Sequence, residues 1–222
     1  MDRKAEAELM NLPAEVDAYV QGDFAAVNQA FAERLVELAG PRESAKCIDL
    51  GTGPADIPLR VARLRPQWTI AAVDASAPML EAAARAVRAA KLEHAVDLVL
   101  ADAKDTKLPA ASYDIVFSNS ILHHVSSPGS FWKEVRRLAK PNALIFIRDL
   151  ARPESDSAAR AIVKKHAGAE SALLQQEFYN SLLSAYTVAE VEAQLKDAGF
   201  SFGALTVKMC SDRHLDVFGI IV

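Results

Sequence analysis

The apolar positions of this chain change their period several times. Phe24, Val27, Phe31, Leu35 and Leu38 recur at helical spacing and stop at Gly40-Pro41, which predicts helix within the first 40 residues. From residue 45 the pattern becomes an alternation. Short apolar runs at 46–50, 69–73, 96–101, 113–118 and 143–148 read as strands, and segments 56–64, 78–91 and 130–138 between them read as amphipathic helices. The link at 102–112 leaves room for about one helical turn. Strand–helix alternation at this spacing predicts a doubly wound α/β fold, a parallel sheet with helices on both faces. After the fifth strand the rhythm breaks. Residues 155–186 predict two helices divided near Gly168, and 188–198 predicts a third ending at Gly199. Runs 202–207 and 215–222 then predict a C-terminal antiparallel hairpin through Ser211-Asp212-Arg213, completing a mostly parallel sheet of seven strands.

Composition narrows the class. The 222 residues, 51% apolar and 24% charged, suit one globular domain with a full core. In that single domain, residues 45–150 form the core, and residues 1–40 with 151–186 form a helical cap. A net charge of −4 argues against nonspecific nucleic-acid binding, which needs a basic footprint. No apolar stretch reaches membrane-spanning length, and Met1-Asp2-Arg3-Lys4-Ala5-Glu6 lacks the shape of a signal peptide. Cys47 and Cys210 have no metal or redox spacing. A cytoplasmic protein, monomeric or homodimeric, is expected.

The chemistry concentrates where the predicted strands end. Gly51 and Gly53 close the first strand, Asp74 the second, Asp102 the third, Asn119 the fourth and Asp149 the fifth. Open parallel sheets bind ligands beyond the carboxyl ends of their strands, at the point where strand order reverses. Glycines let backbone approach a ligand, and an acidic side chain about 20 residues on accepts hydrogen bonds from ribose hydroxyls. A nicotinamide dinucleotide would require Gly-x-Gly-x-x-Gly. Asp56 occupies the third glycine position, where its carboxylate would face a pyrophosphate.

Several segments together carry a family resemblance: Asp49-Leu50-Gly51-Thr52-Gly53, Val73-Asp74, Ala101-Asp102-Ala103, residues 113–119, Leu122-His123-His124-Val125 and residues 134–141. With these the chain resembles the class I S-adenosylmethionine (SAM)-dependent methyltransferases, and among them the small-molecule enzymes close to the quinone-biosynthesis C-methyltransferases. The resemblance covers roughly residues 45–150 and does not specify the methyl acceptor. It implies that Asp49 and the turn Gly51-Thr52-Gly53 lie near the methionine part of SAM. It implies that Asp74, with Ala75 beside it, takes the ribose hydroxyls. Asp102 would contact the adenine amino group, Ala103 and Met79 would pack on the ring, and Asn119 would lie near the methionine moiety or the reacting centre. Ala55 stands where the family often has a third glycine.

Methyl transfer from a sulfonium leaves a neutral sulfur, so alignment is the larger task. Positioning can supply about 7–11 kcal/mol. A general base supplies about 10²–10⁴-fold and is needed only where the acceptor must lose a proton. His123 and His124 are the candidate bases. As sequence neighbours they should point in different directions, so at most one is expected to face the acceptor. No metal is expected: ligating histidine pairs on a helix are separated by four residues, and Asn119 with Asp149 would be too sparse a set for magnesium. Tyr179, Arg152 and Asn28 are the candidate acceptor contacts from the cap. The fourth strand ends in Ser118-Asn119-Ser120-Ile121 rather than an Asn/Asp-Pro-Pro-aromatic motif, which disfavours a nucleic-acid amino group as acceptor. A small organic acceptor is expected. Other chemistry on bound SAM, or a silent regulatory SAM-binding module, are the alternatives.

Overall fold

The computed structural model describes residues 1–6, 13–201 and 203–221. The expected strand bounds at Phe202 and Val222 fall outside the described residues. Two helices, α1 (Pro13–Gln21) and α2 (Ala25–Ala39), precede the first strand. The alternating region follows as β1 (Ala45–Leu50), α3 (Asp56–Leu64), β2 (Trp68–Asp74), α4 (Ala77–Ala90), β3 (Val96–Leu100), β4 (Tyr113–Asn119), α5 (Pro128–Leu138) and β5 (Ala139–Leu150). A single 3₁₀ turn, Leu122–His124, lies between β4 and α5. Then come α6 (Asp156–Ala167), α7 (Ala172–Ser184), α8 (Val188–Asp197), β6 (Thr206–Met209) and β7 (His214–Ile221). The link between β3 and β4 contains no helix; its turn closes as a bridge between Asp102 and Asp105.

The helix boundaries have local causes. Ser76 caps α4 by accepting the Met79 N–H, Pro78 sits in its first turn, and Lys91 ends it in the left-handed conformation. Thr187 and Glu190 form a reciprocal capping box on α8. Ser155 and Ser171 cap α6 and α7.

The sheet runs in the order β3-β2-β1-β4-β5-β7-β6. The first five strands are parallel; β7 inserts between β5 and β6 and is antiparallel to both. Both faces are covered, so central strands are apolar on both sides. Cys47, Ile115 and Phe117 face the cluster under α2 and α3, which includes Phe31, Leu35 and Trp68. Ile48, Leu50 and Val116 face the opposite cluster under α5 and α8, with Trp132, Val135 and Val191. At the antiparallel seam Arg148 on β5 donates two hydrogen bonds to Asp216 on β7, at 2.6 and 2.9 Å.

Candidate active site

Chain direction reverses its spread at β1 and β4: β2 and β3 lie to one side of this pair, β5 to the other. The loops leaving adjacent strands diverge there and open a crevice. Gly51 has φ +77°, and a Cβ on it would stand 2.1 Å from Ile121 Cγ2, so only glycine lets the loop after β4 close against the loop after β1. The N–H groups of Gly51 and Thr52 both donate to the Val73 carbonyl, at 2.8 and 2.9 Å. Gly53 donates to Asp74 Oδ2 at 2.7 Å, and Ser76 N–H to Oδ1 at 2.8 Å. The glycine turn and Asp74 are therefore one hydrogen-bonded unit. Burial raises the Asp74 pKa, against the pull of the Ser76, Gly53 and Ala75 N–H donors.

One cavity lies along this unit. It is lined by Gly51, Gly53, Asp74, Met79, Asp102 and Ala103, and reaches Asn119 and His124. A neighbouring one behind the glycine turn is bordered by Asp49, Thr52, Asp56, Asn28 and Asn119. Asp49 is 2% exposed, its Oδ1 has no hydrogen-bond partner among the described residues, and burial pushes its carboxyl up to about 7. Asn28 donates to Asp56 Oδ2 at 2.9 Å, a carboxylate also held by Arg60 at 2.8 Å. Asp102 is exposed at the far end, paired with Lys104 at 3.2 Å. The crevice is thus acidic throughout, and its two cations are already paired with carboxylates. It suits a ligand carrying a sulfonium and an ammonium, and it would repel a pyrophosphate.

The two histidines differ sharply. His123 is 2% exposed; its Nδ1 lies 2.6 Å from Asp149 Oδ1, and its Nε2 3.5 Å from Glu6 Oε1. Burial disfavours the imidazolium, but Asp149 and Glu6 outweigh that cost and raise the ring's pKa. Asp149 also accepts the N–H groups of Leu122 and Leu150, at 2.6 and 2.7 Å, so it clamps the 3₁₀ turn. His124 is less buried, with Nδ1 3.2 Å from the same Glu6 oxygen. The rings do not diverge: the tight turn brings their centroids to 4.2 Å. Glu6 reaches them because Arg3 donates to the carbonyls of Ser184 (2.6 Å) and His123 (2.9 Å), and Lys4 N–H donates to Leu183 O at 3.0 Å.

A third cavity, about 500 Å³, opens beyond the histidines. Its walls come from Phe24 before α2, from α2 itself (Val27, Asn28) and from the α6–α7 region (Leu174, Phe178, Ser181), with Arg148 and His214 from the sheet. It shares Tyr19, Asn119, Ser120 and His124 with the crevice.

Not every expected contact lies here. Arg152 donates to Ala185 O (2.9 Å) and Glu190 Oε1 (2.6 Å), and Tyr179 donates its hydroxyl to Asp156 beneath Arg160. Neither lines the three cavities. Both side chains are engaged in holding the cap together, Arg152 joining β5 to the start of α8 and Tyr179 joining α7 to α6. Asn28 does border the third cavity. Sequence reasoning missed Tyr19, which borders all three cavities, stacks on Phe24 at 4.9 Å, and has its hydroxyl pKa pushed up to about 12 by burial and by Asp74, Asp56 and Asp49. It also missed Glu6 and the clamping role of Asp149. Tyr19 stands outside the apolar stripe of α2, and Glu6 lies 117 positions before His123, so neither leaves a local signal.

A seven-stranded sheet of this order, with a glycine turn and acidic strand ends at its switch point, defines a nucleoside-binding α/β domain. Residues 48–147 match the sequence family described as a methyltransferase domain. The trans-aconitate 2-methyltransferase of Mycobacterium tuberculosis is 36% identical over 98 residues, 44% of this chain and 34% of that protein. The 2-phytyl-1,4-naphtoquinone methyltransferase of Trichormus variabilis is 28% identical over 129 residues, 58% of this chain and 56% of that protein. This chain spans roughly a third to just over half of the curated relatives it matches. In fold it resembles a SAM-dependent methyltransferase from Aquifex aeolicus, with TM-score 0.70 and 21% identity over 96% of this chain and 100% of that one. Residues 48–147 thus match a methyltransferase-domain family, and the chain shares the fold of a SAM-dependent methyltransferase.

Proposed function

We propose that this protein transfers a methyl group from SAM to a small organic acceptor. One observation carries the reading: the acidic crevice and the third cavity meet at Asn119, Ser120 and His124, so two ligands can share a single wall. The residues present fit SAM. Asp49, whose buried Oδ1 has no partner among the described residues, borders the same cavity as Asn119, and an ammonium group there would satisfy it. Asp74 is held by backbone N–H groups and still borders the crevice, placed for ribose hydroxyls. Met79 and Ala103 offer apolar contact for adenine, and Asp102 a carboxylate for its amino group.

When bound, SAM supplies an electrophilic methyl group. The chain's own contribution is alignment, worth about 7–11 kcal/mol where geometry is good. Asn119 at the shared wall orients the two ligands. His124 accepts a proton from a protic acceptor; His123 holds the turn that carries it. The α1–α2 junction and the α6–α7 region wall the third cavity and would exclude water from the meeting point. Two cysteines that form no disulfide fit a cytoplasmic setting, and the acidic balance fits a small molecule rather than a nucleic acid. No helix among the described residues is long and apolar enough to cross a membrane.

Calorimetry with SAM and turnover assays against a metabolite panel test this together. Asp74→Ala should lose SAM binding. His124→Ala should keep SAM affinity within about threefold and lose about 10²–10⁴-fold in turnover on a protic acceptor. S-adenosylhomocysteine among the products supports methylation; unchanged SAM affinity in the Asp74 variant refutes the site.

A further inference from the structure

Glu6, His123 and His124 bring one carboxylate oxygen and two imidazole nitrogens together, all within 4.8 Å of one another. The structure assigns to this triad a binding site for a divalent transition metal of the zinc type, with an open coordination position facing the acceptor cavity. Nitrogen and oxygen ligands stand about 2.1 Å from zinc, so at tetrahedral angles two ligands are separated by about 3.4 Å. The Glu6 Oε1 separations are 3.5 Å to His123 Nε2 and 3.2 Å to His124 Nδ1, already at that edge length. The third edge, between the two imidazole nitrogens, lies within 4.8 Å.

The supporting atoms are also in place. A ligating histidine characteristically donates its other ring N–H to a carboxylate, which fixes the tautomer and aims the free nitrogen at the metal. Asp149 does this for His123 at 2.6 Å while itself held by two backbone N–H groups, so Nε2 is directed toward Glu6. Ser181 donates its hydroxyl to Glu6 Oε1 at 3.1 Å and steadies that ligand. Two imidazoles with one carboxylate favour zinc, cobalt or nickel over magnesium or calcium, which prefer all-oxygen sets. Three protein ligands leave a fourth position. His123, His124 and Ser181 border the third cavity, so that position is reachable by an acceptor's oxygen, nitrogen or sulfur atom. The spacing rule for two histidines on one helix does not apply, because a 3₁₀ turn supports both rings and the third ligand arrives from the N-terminal segment.

Metal binding requires only these side chains; the use of its open position by an acceptor rests on the proposed function, and His124 serves as a base only in the metal-free form. The test uses the full chain, produced without a polyhistidine tag, stripped with chelator and titrated with Co²⁺. The expected result is one Co²⁺ per chain with the visible ligand-field bands of a tetrahedral complex, displaced by one equivalent of Zn²⁺. Glu6→Gln and His124→Gln should each weaken binding by at least tenfold, and Asp149→Asn by about 10–100-fold. His166→Gln, at a histidine that borders the same cavity but is paired with Asp212, should leave it unchanged. Circular dichroism confirms folding of each variant, and SAM affinity should persist in Glu6→Gln, which separates failure of this site from failure of the cofactor crevice. No Co²⁺ binding, binding indifferent to both Glu6→Gln and His124→Gln, or binding lost in His166→Gln overturns the proposal.

Discussion

Asp49 shows how one buried carboxyl ties folding to ligand charge. Its pKa is about 7 against 3.8 for the unperturbed group. The folded state therefore holds this proton more tightly than the unfolded state. The stabilising contribution is complete below about pH 4 and disappears as pH rises to about 7. The difference corresponds to roughly 4 kcal/mol. Thermal melts of the ligand-free protein and of Asp49→Asn should diverge as pH rises from 4 to 8, the variant being the more stable at the alkaline end. Parallel curves would refute the assignment. Ala55 makes a second residue-scale case. It is fully buried with φ +63°, a conformation that costs a residue with a Cβ about 1 kcal/mol or more. Ala55→Gly should match or exceed the parent in chemical denaturation, despite the greater freedom glycine gains on unfolding. The resemblance implied a glycine preference at this position; the strain accepted by alanine was not legible in the sequence. Likewise, two adjacent histidines were readable as chemistry. Which one is buried depends on Asp149 and Glu6, and their proximity is a tertiary fact.

At the scale of elements, the glycine turn and the loop after β4 form one packed joint. Gly51→Ala would force a Cβ into Ile121 and place alanine at φ +77°. We expect a loss of about 2–4 kcal/mol in stability together with SAM affinity. Ile121→Ala in the same chain should recover the steric part and leave the backbone part, which a double-mutant cycle in urea would separate. The strands and helices of the alternating region were legible because a sheet covered on both faces needs continuous apolar runs with amphipathic helices between them. The boundaries that shifted did so for local reasons. The β5 ladder extends back to Ala139 because Ala139 pairs with Tyr113 across a register shift, and the short link after β3 closes by a bridge instead of a helical turn. Insertion of β7 between β5 and β6 was not readable, since a hairpin's own pattern does not say which of its strands will meet the sheet. The half-buried Arg148–Asp216 pair marks that choice.

For the whole molecule, the cofactor should act as a fold stabiliser. A ligand at 100 times its Kd adds about 2.7 kcal/mol. For a chain of this size that is a rise in Tm of about 5–11 °C. SAM and S-adenosylhomocysteine should produce such a shift, NADH should not, and Asp74→Ala should abolish it. Equal shifts with NADH would contradict the charge argument made from the acidic crevice. Segments far apart in sequence share the site: residues 3–6 dock on the end of α7, and α7 walls the cavity that the sheet opens. This assembly was the least legible part, because hydrophobic periodicity specifies which face of a helix is buried but not against which partner.

Tyr19 borders all three cavities, so its ring cannot respond to one visitor without altering the surface offered to the next. Thermodynamic linkage makes such a response mutual: whatever factor the first ligand imposes on the second, the second returns. Affinities measured for either molecule alone would then describe half of a conversation, and the ratio between singly and doubly loaded forms becomes the quantity that belongs to the tyrosine.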